Sequence, residues 1–220
     1  MPLSSLEVDF IENAVLMMLR RGIRQFVDVG PRSPGENDVH GLASYLHPGS
    51  VVVRVGDDLV PGGRSGEPQD ERDSTARLPR ADETEVDEVL AECFAARLLD
   101  RERPVGVVAV GAADRNDPWC SPASMMARCN ALLRADSMVA VTRRVPGLPG
   151  TGAAGPTVVE ELSEMFDGLV LVKPGLVRLP HFWPGSSSRN RAGDTARGQG
   201  VLAGIAFKPG RPRVVRSAMG

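Results

Sequence analysis

Short apolar runs alternate with amphipathic helical segments along nearly the whole chain, and this alternation constrains the fold more than any other feature. Residues 6–20 set Leu6, Phe10, Ala14, Met17 and Met18 at helical spacing, and Gly22 follows where a helix C-terminus takes a glycine. Gln25–Val29 is then a short apolar run stopped by Gly and Pro, suited to a buried parallel strand. Residues 36–46 read as a second helix with acidic residues in its first turn, and Val51–Val55 as a second buried strand. Order resumes with a helix at about 84–99, a strand at Val105–Val110 and a helix at 121–133 that opens on Ser-Pro. A strand at Ser137–Thr142, a helix at 157–166 and strands at 168–172 and Val201–Phe207 complete the pattern. Strand–helix alternation of this kind predicts an α/β fold, a parallel sheet with right-handed crossovers. With 220 residues the chain is long enough for one such domain over 1–220 and too short for two. Loops are expected at about 61–79, 145–156 and 184–200, where Gly, Pro and polar residues dominate, with a frayed tail at 208–220.

Charge and cysteine usage narrow the function class. With 26 basic and 28 acidic residues the net charge is -2, so the chain carries no electrostatic footprint for nucleic acid or an anionic membrane. Among the basic residues only Lys173 and Lys208 are lysine. Cys93, Cys120 and Cys129 form neither a CxxC pair nor a metal-ligand spacing with histidine. No apolar run approaches the ~18–20 residues that cross a bilayer, and the N-terminus lacks a signal-peptide pattern. The expectation is a soluble cytoplasmic protein with reduced thiols, no metal and no membrane partner.

Open α/β sheets bind ligands at the carboxyl ends of their strands, near the point where strand order reverses. The residues after the first strand are Asp28-Val29-Gly30-Pro31-Arg32. An acidic residue and a glycine there suit close approach to a nucleotide, although the segment alone fits an ordinary strand-to-helix turn equally well. Arg32 occupies the second glycine of a GxG, so the dinucleotide fingerprint of a nicotinamide-dependent reductase is missing. After the second strand stand Gly56, Asp57 and Asp58; a carboxylate there suits two ribose hydroxyls, and paired aspartates are also common in exposed turns. Asp82 is placed to accept from an adenine amino group or to cap a helix. His181, beside Phe182 and Trp183, is the best candidate for a general base, while His40 and His47 read as structural.

At this point the sequence resembles a known family. GIRQFVDVGPRSPGENDVH followed by PGSVVVRVGDD is similar to the GIRQFLDIGTGLPTxxNVH and ARVVYVDNDP segments of an actinobacterial S-adenosylmethionine-dependent methyltransferase family, formerly a domain of unknown function. The similarity continues in Arg80-Ala81-Asp82, RPVGVVAV, MMARCNALL and FDGLVLVKPGLVRLPHFWPG, covering about residues 7 to 207. It implies a class I methyltransferase-type (Rossmann-like) three-layer sandwich, mostly parallel with a C-terminal antiparallel strand. It also implies S-adenosylmethionine as cofactor, held by Asp28, Gly30, Asp57, Asp58 and Asp82, with a small-molecule substrate such as one of secondary metabolism.

The departures point to a cofactor site that has diverged. Pro31-Arg32 stands for the family's Thr-Gly, Gly56 for its ribose-binding Asp, Gly111-Ala112-Ala113 for Leu-His-Phe and Thr142-Arg143 for Ser-His. The family's glycine-rich N-terminal segment is expected to lack a counterpart, and the strand and helix between the second strand and Asp82 are expected to be lost. An alternative reading follows: a methyltransferase-fold protein that no longer methylates and serves as a ligand-binding, partner or dimerising subunit. Arg32, Arg54, Arg115, Arg143 and Arg144 would suit an anionic ligand in that case, or lie on the surface as solvated charges.

Overall fold

The computed structural model describes residues 4–29, 39–55, 75–77, 86–111, 122–146, 156–179 and 199–210. The elements run α1 (Ser5–Arg20), β1 (Gln25–Val29), α2 (Val39–Leu46), β2 (Val51–Val55), β3 (Thr75–Arg77), α3 (Val86–Ala95) and β4 (Val105–Ala109), then α4 (Pro122–Leu132), β5 (Met138–Pro146), α5 (Pro156–Glu164), β6 (Val170–Leu171), β7 (Val177–Arg178) and β8 (Gln199–Phe207). The sheet order is β3-β2-β1-β4-β5-β8-β6, with β7 also paired to β8. The β1–β2, β1–β4, β2–β3 and β4–β5 pairs are parallel, and β8 runs antiparallel to β5, β6 and β7. This is the class I methyltransferase-type architecture, a mostly parallel sheet with one antiparallel C-terminal strand.

Both faces of the central strands are covered, which is why they read as continuous apolar runs rather than alternating ones. Val27, Val29, Val53, Val107 and Ala109 pack with Leu90, Met126 and Leu162 of α3, α4 and α5. Phe26, Val52, Val108 and Ile205 pack on the other face with Phe10, Ala14 and Met18 of α1 and Val39 and Ala43 of α2. Three layers result, and alternate residues of each strand choose the layer they enter.

Local chemistry sets the helix ends. α1 starts with a capping box: the Ser4 side chain accepts from the Glu7 N–H while Glu7 accepts from the Ser4 N–H. It ends at Gly22, at φ 85, with Gly22 N–H donating to Leu19 O at 3.0 Å and Ile23 N–H to Met18 O at 3.1 Å. That pair of bonds is a Schellman motif, and the glycine takes the left-handed conformation it needs. α4 opens at Pro122, as a proline at the first helical position requires.

Four strands differ from the expectation. Thr75–Arg77 forms β3, parallel to β2, inside the stretch read as loop 61–79. The strand between β2 and Asp82 is therefore present; with Ala76 as its one apolar residue it has no periodicity to reveal it, and pairing to β2 creates it. β5 runs on to Pro146 and β8 begins at Gln199 because they pair with each other over nine residues. β7 was not expected, its two residues being held by Ala203 and Leu202 of β8.

The described cysteines, Cys93 and Cys129, are buried thiols outside any disulfide. Burial pushes the Cys93 thiol up from 9.0 to about 11, the Glu92 carboxylate adds to the rise, and a backbone hydrogen bond opposes it. Below pH 9 the thiol is protonated both folded and unfolded. Above 9 the unfolded chain ionises first, so the contribution of this group to stability is lost between pH 9 and about 11. Thermal unfolding should show a midpoint that falls across this window, with a shallower fall in Cys93→Ala. Iodoacetamide at pH 8 should leave Cys93 unlabelled in the native protein, as peptide mapping would show.

Candidate functional site

Strand order reverses between β1 and β4: β2 and β3 lie to one side of β1, β5 and β8 to the other side of β4. The carboxyl ends of β1 and β4 thus flank the position where an open α/β sheet binds its ligand. Asp28 lies one residue from the end of β1, in register with Arg54 of β2 on one side and Val108 of β4 on the other. Its side chain enters the α1/α2 layer, as those of Phe26, Val52 and Val108 do. Arg54 Nε approaches Asp28 Oδ2 at 3.7 Å, with the two side chains only 9% and 2% exposed.

The end of β4 is held from the next strand. Gly111 lies just past it at φ 78, a conformation open to glycine and strained for other residues. Its N–H donates to the Thr142 Oγ1 of β5 at 3.1 Å in a buried setting. Thr142→Val should leave that N–H without an acceptor and cost about 1–3 kcal/mol. Thr142→Ser should recover most of it, both read by denaturant unfolding.

Two further ion pairs line the same edge. Arg144 of β5 reaches Glu7 of α1, Nε to Oε1 at 3.1 Å and Nη2 to Oε2 at 2.7 Å. Arg143, on the opposite face of β5, meets Glu161 of α5 at 2.6 Å. The three described members of the arginine group, Arg54, Arg143 and Arg144, are therefore matched with carboxylates, a third arrangement beside the anionic-ligand and solvated-surface readings. Arg32 and Arg115 lie outside the described residues.

Of the sequence-derived candidates, Asp28 is the one the structure describes; it stands buried at the strand-order reversal. Gly30, Asp57, Asp58, Asp82 and His181 lie outside the described residues, as does Gly56. His47 Nε2 meets Arg24 Nη2 at 3.0 Å, and His40 is half-buried on α2, neither at the end of β1. Sequence reasoning missed the Asp28–Arg54 pairing, although a guanidinium inside the run Val-Val-Val-Arg-Val was its signal. It also missed Glu7, which Ser4-x-x-Glu7 marks as a capping box.

A family model described as S-adenosyl methyltransferase matches residues 4–209. The chain belongs to that family. The chain is also similar to the solved structure of a DUF574 family protein from Streptomyces avermitilis, at 22% identity and a TM-score of 0.70, covering 93% of this chain and 83% of that one. A second solved structure, of a protein from Thermobifida fusca, matches at 22% identity and a TM-score of 0.69, covering 92% of this chain and 79% of that one. At that identity the two likenesses bear on the fold alone. No curated protein matches the sequence. Among the described residues no helix is long and apolar enough to cross a membrane.

S-adenosylmethionine is the cofactor that the family implies, and the described edge fits it. The carboxylate of Asp28 beside the guanidinium of Arg54 gives a charge-balanced environment, which suits a ligand bearing charges of both signs. The turn at Gly111 has no side chain to obstruct a ligand at the end of β4.

Proposed function

We propose that this protein transfers a methyl group from S-adenosylmethionine to a small molecule, in the cytoplasm and without a nucleic-acid partner. The observation that carries the reading is the family match over 4–209, taken with a buried acid at the end of β1 where strand order reverses. When bound, S-adenosylmethionine supplies a methyl group already activated on a sulfonium. The chain's task is then alignment and exclusion of water rather than strong acid–base chemistry. Asp28 and Arg54 fix the electrostatics at the end of β1, while Thr142 holds the turn at Gly111. Residues Gly30, Asp57, Asp58 and Asp82 complete the cofactor site in this reading, and His181 serves as base toward the acceptor.

Net charge of -2 gives no attraction to nucleic acid, which supports a small acceptor. Buried Cys93 and Cys129 thiols outside any disulfide suit a reducing compartment. A lysate incubated with the protein and methyl-labelled S-adenosylmethionine tests the reading. Label should appear in the low-molecular-weight fraction. Label confined to protein or nucleic acid would overturn the small-molecule substrate, and no label in any fraction would favour the non-methylating alternative.

A further inference from the structure

Arg54 is out of place in β2. The strand lies inside the sheet between β1 and β3, and its other members, Val51, Val52, Val53 and Val55, are apolar and β-branched. A guanidinium in such a strand is costly unless a countercharge meets it. Parallel register supplies one, because Arg54 is the Cα partner of Asp28 and both side chains leave the same face of the sheet. At 3.7 Å, with exposures of 9% and 2%, the two make an ion pair beneath the carboxyl edge rather than a contact at the surface.

The pair has a consequence for ligand charge. Alone, Asp28 would place a buried negative charge beside the strand-order reversal, and its field would favour a cationic ligand. Arg54 cancels most of that field at distances beyond the pair itself. The two forms of the cofactor differ by one charge: a sulfonium before transfer, and a neutral thioether once the methyl has left and its bonding electron pair has stayed on sulfur. A carboxylate alone would hold the sulfonium form much more tightly than the thioether form; a neutralised carboxylate would separate them much less.

We propose that Arg54 is a specificity-determining residue that, by neutralising Asp28, sets the ratio of affinities for S-adenosylmethionine and S-adenosylhomocysteine. The inference rests on the reading that the cofactor binds at the carboxyl ends of β1 and β4. In the parent protein the two ligands should then bind within about tenfold of each other.

Calorimetric titration of the full chain with each ligand, at fixed ionic strength, tests it. Arg54→Gln should shift the affinity ratio about tenfold toward S-adenosylmethionine, and Asp28→Asn about tenfold the other way. Arg54→Lys, which keeps the charge, and the double variant Asp28→Asn/Arg54→Gln, which removes both charges, should each stay within about threefold of the parent ratio. Should Arg54→Gln fail to fold, Asp28→Asn and the double variant carry the same comparison. Equal ratios in all folded variants would overturn the role of Arg54 while leaving cofactor binding intact. If the parent protein bound neither ligand, the cofactor reading itself would fall.

Discussion

Replacing Arg144 by alanine is expected to remove about 3–5 kcal/mol of folding stability, lowering the thermal midpoint by roughly 10 °C. Glu7 is the reason. Its carboxylate is 0% exposed and receives four donors: the Arg144 Nε and Nη2, the Ser4 N–H at 2.8 Å and the Ser4 hydroxyl at 2.9 Å. A bidentate fork is the strongest geometry for such a pair. Truncating Arg144 leaves a carboxylate out of water with hydrogen bonds and no countercharge, and breaking a buried pair from one side is far costlier than never having had it. An apolar replacement of both partners, Glu7→Leu with Arg144→Met, should therefore recover much of the loss. The pair joins residues 137 apart and anchors the start of α1 to the carboxyl end of β5, on the edge where the cofactor is proposed to lie. A loss under 1 kcal/mol in Arg144→Ala, measured by denaturant unfolding, would contradict this assignment.

Phe26→Ala is the second large effect, about 3–5 kcal/mol. Phe26 is 0% exposed at the middle of the α1/α2 layer, and its ring lies against Gly106 of β4. A Cβ built at Gly106 would come to 2.9 Å from the Phe26 Cδ1 and 2.7 Å from the Met18 Sδ. The glycine is thus an accommodation of the ring. Gly106→Ala alone should cost about 1–3 kcal/mol through overpacking, whereas in the Phe26→Ala background the new methyl enters space the ring has left. The double variant should be more stable than the sum of the two losses by at least about 1 kcal/mol. Simple additivity in chemical denaturation would show that the ring and the glycine do not share a site.

These two predictions turn on long-range partners, and this is where the sequence was least legible. β1, β2 and β4 read directly, because strands covered on both faces must be apolar throughout. The end of α1 read directly too, since Gly22 has one conformation to offer there. By contrast, nothing in Thr75-Ala76-Arg77 favours a strand until β2 is beside it. The partners Glu7 and Arg144, or Asp28 and Arg54, become neighbours only through the sheet order, so five arginines could be grouped by residue type with no view of what each one met. At the site, resemblance and chain order singled out Asp28, and the structure sets it at the reversal of strand order. Its ion pair was hidden, because the Arg54 guanidinium comes from the adjacent strand. Gly30, Asp57, Asp58, Asp82 and His181 fall outside the described residues, so their roles stand as proposals to be tested by substitution.

In the proposed function S-adenosylmethionine lies across the carboxyl ends of β1 and β4, above the Asp28–Arg54 pair. A crystal structure of the protein grown with saturating S-adenosylhomocysteine tests it most directly. Ligand density is expected beside the ends of β1 and β4, with the Asp28–Arg54 pair intact beneath it. Density at another surface, or an empty edge under conditions where calorimetry shows saturation, would contradict it.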